Sequence, residues 1–217
     1  WNNQKFSYKA NGIVKMKISK KYINLFKVFS LLIILSSLIL NNSYAKENSF
    51  FIGKSDAPVN IKVFSSFTCP HCANFHMKII PKIEKKFVIT GKVKITFIDF
   101  PLDQAAFNAS KLLNCINKKN KMEFMNTIYK NQEQWTSGSD LDAINNNLKQ
   151  ILKDLNLDSV KFNECLKDET ISDKILVERI DAQKTYSVSS TPTIVINDKK
   201  IDNPNFDNIK NTIEDLI

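Results

Sequence analysis

Residues 59–76 have the sequence VNIKVFSSFTCPHCANFH, in which two periodic patterns meet at a pair of cysteines. Apolar and polar residues alternate at the start of this stretch, which predicts a β-strand. After the cysteines, apolar residues recur at every fourth position, which predicts a helix. The motif Cys69-Pro70-His71-Cys72 therefore lies where the strand ends and the helix begins, and proline suits the first turn of a helix.

The position of this motif indicates its chemistry. At a helix N-terminus the helix dipole and the free backbone N–H groups favour a thiolate, which is the nucleophile of disulfide exchange. We predict that Cys69 is the exposed attacking sulfur and that Cys72, one turn later, is the buried resolving sulfur. His71 can donate a hydrogen bond or positive charge to the Cys69 thiolate. Stabilising the reduced pair makes the disulfide a stronger oxidant, so all four motif residues are candidate catalytic residues.

A zinc site and an inert structural pair are the alternatives for these cysteines. Zinc takes four ligands, commonly as two separated pairs, and a second closely spaced cysteine pair is missing. His76 could share the face of Cys72, but a fourth ligand is not evident. The sequence therefore favours redox chemistry without a metal or cofactor, with His76 as a partly buried structural histidine.

The rest of the chain extends the α/β pattern. A second alternating strand runs from Val93 to Phe100, and Pro81 should kink the helix that precedes it. Helical spacing then dominates until Thr191-Pro192, which precedes a short apolar strand, a turn, a strand near Ile201 and a closing helix. We predict one α/β unit in two parts, residues 46–103 and 176–217, with an inserted helical subdomain at residues 104–175.

The N-terminal region carries most of the net charge of +9. Residues 1–45 hold seven lysines and no acidic residue, so residues 46–217 have 24 basic against 22 acidic residues. This near balance gives no basic footprint for nucleic acid, and we expect no nucleic-acid partner.

The same region has the pattern of an export signal. Lysines follow Met16, an apolar run spans residues 28–40, and Ser43 and Ala45 fit a small-x-small cleavage site. We expect translation to start at Met16, with residues 1–15 upstream, and cleavage near Ala45. An uncleaved membrane anchor is the alternative, although the run is shorter than the about 20 residues of a spanning helix.

Two further cysteines, Cys115 and Cys165, lie among apolar residues of the predicted helical block. They are either two buried free thiols or a structural disulfide, and an oxidising compartment favours the disulfide. The proline at 192 also has two interpretations. It is an ordinary trans proline at a strand start, or a cis proline kept for a purpose.

The strand–Cys69-Pro70-His71-Cys72–helix unit, the helical insertion and the later Thr191-Pro192 together resemble the DsbA-like thiol–disulfide oxidoreductases, from about residue 50 to the C-terminus. The resemblance implies a thioredoxin fold with an inserted all-helical subdomain. It also implies that Pro192 is cis and packs beside the cysteine pair. Thr191 and Pro192 would then help to bind an extended substrate peptide.

The resemblance further implies an exported, periplasmic enzyme that introduces disulfides into secreted proteins. Its partners would be thiol-containing exported proteins and, by analogy, a DsbB-like membrane quinone reductase, and the chain would be a monomer. A disulfide isomerase or reductase is the first alternative, because threonine before the cis proline occurs in isomerase branches too. A peptide-binding chaperone with incidental thiols is the second.

The chain departs from the family at one position near the motif. Many members have an acidic residue six positions before the first cysteine, thought to help proton transfer at the buried cysteine, and this chain has Val63 there. The neighbouring Lys62 is predicted to point to the opposite face of the strand.

Overall fold

The computed structural model of the chain describes residues 49–157 and 161–217. The predicted start at Met16 and the predicted signal and cleavage site near Ala45 lie outside the described residues. Within those residues, no helix combines the length and the apolar character that crossing a bilayer requires.

Five strands of the described chain form one mixed sheet in the order β1-β3-β2-β4-β5. The central pair, β2 and β3, is parallel, and the other three pairs are antiparallel. The strands are β1 (Phe50–Ile52), β2 (Val59–Ser65), β3 (Val93–Asp99), β4 (Thr193–Ile196) and β5 (Lys199–Lys200).

The predicted strands are present, with two differences at the sheet edges. β1 was not predicted, because three residues are too short to show a period. The last strand lies at Lys199–Lys200 and not at Ile201, since Asn197 and Asp198 alone make the turn. Both have positive φ angles, 43° and 65°, which is the backbone of a tight two-residue hairpin.

Two helices lie between β2 and β3, six fill the interval between β3 and β4, and one closes the described chain, which confirms an α/β fold with a helical block between its strands. In chain order they are α1 (Pro70–Lys78), α2 (Ile80–Ile83), α3 (Gln104–Cys115), α4 (Lys118–Lys130), α5 (Gln132–Thr136), α6 (Leu141–Asp154), α7 (Phe162–Lys167), α8 (Glu169–Tyr186) and α9 (Phe206–Glu214). The predicted boundary after residue 175 falls inside α8.

The predicted long helix after the cysteines is divided into three pieces. It breaks at Ile79, between α1 and α2, and continues as a π-helical turn at Glu84–Val88. Pro81 lies just after the break, and a proline lacks the N–H and the space that a continuous helix needs. The kink expected from Pro81 is therefore a break two residues earlier.

The sheet separates two apolar layers, and the first one positions the cysteine pair. Val59, Ile61 and Val63 of β2 face a large core, which α1 and α4 complete by packing on each other. Phe64 points to the opposite face, where it joins Val195 of β4 and Ala182 of α8. The cysteine loop thus leaves β2 at the edge of the larger core.

Candidate active site

Cys69 occupies the N-cap of α1, as the sequence predicts. Its φ of −82° and ψ of 117° are extended, as expected for a residue before proline. The backbone N–H of Cys69 donates to the carbonyl of Ser66 (3.2 Å), and its carbonyl accepts from the N–H of Ala73 (3.1 Å). The Cys69 sulfur is therefore held at the first turn of the helix, where backbone N–H groups are free.

The two thiols of the motif are free, and both are more enclosed than predicted. Cys69 is 7% exposed and Cys72 is 1% exposed. The expectation of an exposed Cys69 is corrected, because the segment before β4 covers the sulfur: Cys69 Sγ donates to the carbonyl oxygen of Thr191 at 3.3 Å. His71 is the solvent-exposed member of the motif.

The Thr191–Pro192 peptide bond is cis, as the resemblance implies. β4 begins directly after it, and the pairing of Thr193 with Phe64 brings the start of β4 beside the end of β2. The sheet register thus sets the cis proline next to the cysteine loop, although more than 100 residues separate them in sequence.

The environment of Cys72 opposes ionisation. Burial, and to a smaller extent the neighbouring Cys69, raises the pKa of the Cys72 thiol to about 12. The Thr191 side chain and the backbone of Ser66 act in the other direction. The Thr191 hydroxyl is buried without a hydrogen-bond partner at normal distance within the described chain, and it lies near the Cys72 sulfur.

Gln132, on α5, fixes the cysteine loop from the helical block. Its side-chain N–H₂ donates to the carbonyl oxygens of Phe67 (2.7 Å) and Cys69 (3.0 Å). Gln132 is buried; without it the Phe67 carbonyl would lose this partner in an enclosed place, and the Cys69 carbonyl would keep only the N–H of Ala73. Sequence reasoning missed Gln132, because no local pattern shows that a glutamine over 60 residues away serves this loop.

Asp103 fixes the same loop from the start of α3. One oxygen of the carboxylate caps α3 by accepting from the N–H of Ala106 (2.8 Å), and the other accepts from the Thr68 hydroxyl (2.6 Å). The N–H of Leu102 also donates to the Ser66 hydroxyl (3.3 Å). The loop before Cys69 therefore depends on side chains and backbone from outside the strand and helix that it connects.

His76 is a buried structural residue below the motif, 5% exposed. Its Nε2 bonds the side-chain oxygen of Asn126 at 2.8 Å, and its ring lies 4.8 Å from that of Tyr129. Burial lowers the pKa of His76, and the bond to Asn126 offsets this in part. Among the described residues, no group of three or more His, Cys, Asp or Glu side chains is close enough to hold a metal.

Val63, the residue that departs from the family pattern, is apolar, and so is its partner on the neighbouring strand. Val63 is 2% exposed and pairs with Phe97 of β3 in the sheet. Lys62 points to the opposite face, as predicted, where its ammonium group pairs with Asp198 (2.7 Å) and contacts the Tyr186 hydroxyl. Neither strand provides an acid at this position.

Cys115 and Cys165 are brought together as a disulfide between the end of α3 and α7. The bridge spans 50 residues of sequence, and Cys165 is buried with apolar neighbours of the main core. It ties the two ends of the helical block to each other and lies outside the Cys69–Cys72 motif.

Comparison with known proteins agrees with this arrangement. The family model described as Thioredoxin matches residues 45–215. The chain is 27% identical to a probable disulfide bond formation protein D of Bacillus anthracis, over 92% of this chain and 98% of that protein. It is 25% identical to a putative protein-disulfide oxidoreductase of Rickettsia bellii, over 79% of this chain and 65% of that protein.

Solved structures show the same fold. The crystal structure of Wolbachia pipientis alpha-DsbA1 has a TM-score of 0.70 and 28% identity, covering 79% of this chain and 92% of that one. Oxidised BdbD from Bacillus subtilis has a TM-score of 0.67 and 26% identity, covering 79% and 94%. With its cysteine pair at the helix N-terminus beside a cis proline, the chain belongs to the thioredoxin family and is a DsbA-like thiol–disulfide oxidoreductase.

Proposed function

We propose that this chain is an exported enzyme that introduces disulfides into secreted or periplasmic proteins by exchange at Cys69–Cys72. The observation that carries the proposal is the contact of Cys69 Sγ with the carbonyl of the cis Thr191–Pro192 segment, 3.3 Å away. The Cys69 sulfur lies at the N-terminus of α1 and contacts the Thr191–Pro192 segment, to which the substrate peptide would bind. Cys72 is enclosed below it.

The exchange takes two steps at this site. A substrate thiolate attacks Cys69 Sγ, the Cys69–Cys72 bond breaks, and Cys72 leaves and is protonated. A second substrate thiolate then attacks the substrate sulfur of the mixed disulfide and releases Cys69. The substrate gains one disulfide and loses two electrons and two protons, which the reduced enzyme holds as two thiols or as a thiolate and a proton in solvent.

Thr191 and Pro192 would bind the substrate backbone. Both are partly exposed beside Cys69, and Pro192 itself has no backbone N–H. An extended substrate that pairs with this backbone gains affinity from main-chain hydrogen bonds. Because every peptide has these groups, the enzyme would accept many substrate sequences. His71, the exposed residue of the motif, also lies at the surface of this site.

Export and partners are part of the proposal. The N-terminal pattern ending near Ala45 supports export, and the Cys115–Cys165 disulfide is typical of a protein in an oxidising compartment. In that compartment a membrane quinone reductase of the DsbB type would accept the electrons from the reduced pair, and the enzyme would act as a monomer. Retention of the N-terminal segment as an anchor would leave the same site facing the same compartment.

Trapping of substrates tests the function directly. A Cys72→Ser variant cannot resolve the mixed disulfide on Cys69, so in an exporting bacterium it should accumulate covalent adducts with exported proteins. The double variant Cys69→Ser/Cys72→Ser is the matched control and should form none. Absence of adducts with the single variant would contradict the proposed function and favour the chaperone alternative.

The equilibrium reduction potential in glutathione buffers distinguishes the direction of electron flow. A value near roughly −120 mV is that of a strong oxidant and supports disulfide donation. A value near roughly −270 mV, as in thioredoxin, would instead make the chain a reductase or isomerase that must be kept reduced.

A further inference from the structure

Both cysteines of the Cys115–Cys165 disulfide line an open cavity of about 480 Å³. The other lining residues come from the segment after α3, the start of α4 and the region around α7, and none belongs to the Cys69–Cys72 motif. Sites that bind small molecules have volumes of about 300–1,000 Å³. The cavity is therefore large enough for a small molecule, which would lie against the disulfide.

The two cysteines of this disulfide differ in their access to solvent. Cys115 is half-buried at the end of α3, whereas Cys165 is 6% exposed and packs with the main core. In thiol–disulfide exchange a thiolate attacks the sulfur that it can reach, and the other sulfur leaves. A thiol that enters from solvent would therefore attach to Cys115 and release Cys165 inside the protein.

Lys111 provides a second link between α3 and α7 that does not depend on the disulfide. It is 4% exposed, and its ammonium group donates to the carbonyl of Leu166, the residue after Cys165. Because a buried charge without a hydrogen-bond acceptor is costly, this contact resists breaking. Opening of the disulfide would thus leave α7 attached to α3, with the two sulfurs close enough to rejoin.

Charged groups of both signs line the cavity, and one of them is available to a ligand. Lys161 pairs with Glu164 at 3.1 Å, and Asp168 caps α8 by accepting from the N–H of Ile171 at 3.1 Å. Lys119, at the exposed start of α4, has no ion-pair partner in the part of the chain that the structure describes. Its ammonium group can therefore bind a carboxylate from outside.

Side-chain amides provide the rest of the polar lining. Asn117 and Asn120 flank Lys119, and Asn156 lines the cavity as well. An amide side chain both donates and accepts hydrogen bonds, as a peptide group does. A short peptide would thus find amide partners for its backbone, Lys119 for a carboxylate and the acidic residue Glu164 for an ammonium group.

We propose that this cavity binds a small peptide thiol with free carboxylates, of the glutathione type, and that this thiol opens the Cys115–Cys165 disulfide by forming a mixed disulfide on Cys115. The cavity would then be a second site of thiol exchange in the chain. This inference does not depend on the exchange proposed at Cys69–Cys72.

The step balances without a further oxidant or reductant. The thiolate of the ligand attacks Cys115 Sγ, and the bond between the sulfurs of Cys115 and Cys165 breaks. Cys165 leaves as a thiolate that takes up a proton from water. One disulfide is lost and one is formed, so the protein and the ligand together exchange no electrons with the surroundings. In the reverse step, the Cys165 thiolate attacks Cys115 Sγ and releases the ligand as a thiol.

The position of the mixed disulfide tests the proposal. In the full chain with Cys69→Ser/Cys72→Ser, Cys115 and Cys165 are the only cysteines. Reduced and oxidised glutathione are added together, the reaction is quenched with acid at intervals, and mass spectrometry of the peptides locates the attached glutathione. We expect the first adduct on Cys115. A first adduct on Cys165, or a disulfide that stays closed, would overturn the proposal.

Recognition by the cavity is measured with a matched pair of thiols. The monoethyl ester of glutathione has the same thiol and one carboxylate fewer. At low salt, reduced glutathione should open the disulfide about threefold faster than the ester, which is the effect of one exposed ion pair. The two rates should converge at about 1 M salt, where charges are screened.

A pair of lysine variants assigns this difference to the cavity. Lys119→Gln should make the rates of the two thiols equal. Lys149→Gln removes an exposed lysine of α6 that does not line the cavity, and it should retain the threefold difference. Equal rates before any lysine is replaced, or a difference that persists in Lys119→Gln, would contradict binding in the cavity.

The outcome is separate from that of the proposed function. The tested chain lacks both cysteines of the motif, so a failure of disulfide donation at Cys69–Cys72 would leave this inference standing. Conversely, a Cys115–Cys165 disulfide that glutathione does not open would leave the proposed function unaffected and would contradict only the inference.

Discussion

At the scale of single residues, the reactivity of the motif depends on polar side chains that hold it from a distance. The amide of Gln132 bonds two carbonyls of the cysteine loop, and Asp103 bonds the Thr68 hydroxyl in the same loop. These contacts set the backbone from which Cys69 presents its sulfur. The periodic pattern around the motif predicts the strand and the helix but carries no information about these partners.

Replacing Gln132 by leucine should loosen this loop. The Phe67 carbonyl loses this donor in a buried place and the Cys69 carbonyl keeps only the N–H of Ala73, which costs about 1–3 kcal/mol of unfolding free energy. Chemical denaturation measures the change, and mixed-disulfide formation at Cys69 should slow with it. Gln134→Leu, on the exposed side of α5, is the control, and equal stabilities of the two variants would contradict the assignment.

His76 makes stability depend on pH. Burial lowers the pKa of His76, so the unfolded chain binds a proton there at a higher pH than the folded chain does. As the pH falls below about 6.5, the unfolded state gains a proton that the folded state does not, and the free energy of unfolding decreases. Stability from this residue is therefore present at neutral pH and is lost on acidification.

Melting temperatures measured between pH 7 and pH 5 check this effect. The wild type should lose stability over this range, and His76→Gln should lose less, because glutamine cannot take up the proton. A slope in His76→Gln as steep as that of the wild type would disagree with the prediction.

At the scale of elements, regular patterns predict well, and features set by long-range contacts do not. The alternation at residues 59–64 and the helical spacing after Cys72 correspond to β2 and α1. Pro81 alone predicts an interruption of this helix, but the break lies two residues earlier, at Ile79. β1 could not be foreseen, because its three residues are ordered by pairing with β3.

The end of α8 offers a test at this scale. Ser187 is its C-cap and adopts the left-handed conformation, with a φ of 51° and a ψ of 42°, which glycine adopts without steric strain. Ser187→Gly should stabilise the protein by about 0.5–1 kcal/mol, since the relief of strain exceeds the added entropy of the unfolded chain. Ser189→Gly, at a residue with negative φ, should give no gain in thermal unfolding. Destabilisation by Ser187→Gly would contradict this reasoning.

At the scale of the whole molecule, the sheet register assembles the site from distant segments. The pairing of β2 with β4 places the cis proline at the cysteine loop. The sequence identifies the motif and Thr191-Pro192 through their local context. Gln132 could not be found in this way, because its role exists only after the helical block packs on the sheet.

The Cys115–Cys165 disulfide should contribute to global stability without taking part in the exchange. The bridge spans 50 residues, and the loop-entropy model gives about 4 kcal/mol for a loop of this size. Cys115→Ser/Cys165→Ser should lower the free energy of unfolding by up to this amount and leave mixed-disulfide formation at Cys69 intact. Mild reduction of the wild type is the complementary control. Unchanged melting of the double variant would show that the bridge contributes nothing.

The two anchors of the cysteine loop, Gln132 on α5 and Asp103 at the start of α3, have a consequence for how such proteins can be recombined. The insertion does more than cover the sheet, since it supplies the amide that shapes the loop, and the residue just before it supplies the carboxylate. A chimera that receives its helical block from another protein should retain its sheet. It should regain a working cysteine loop only when the donor block brings an equivalent of Gln132 and the junction keeps Asp103.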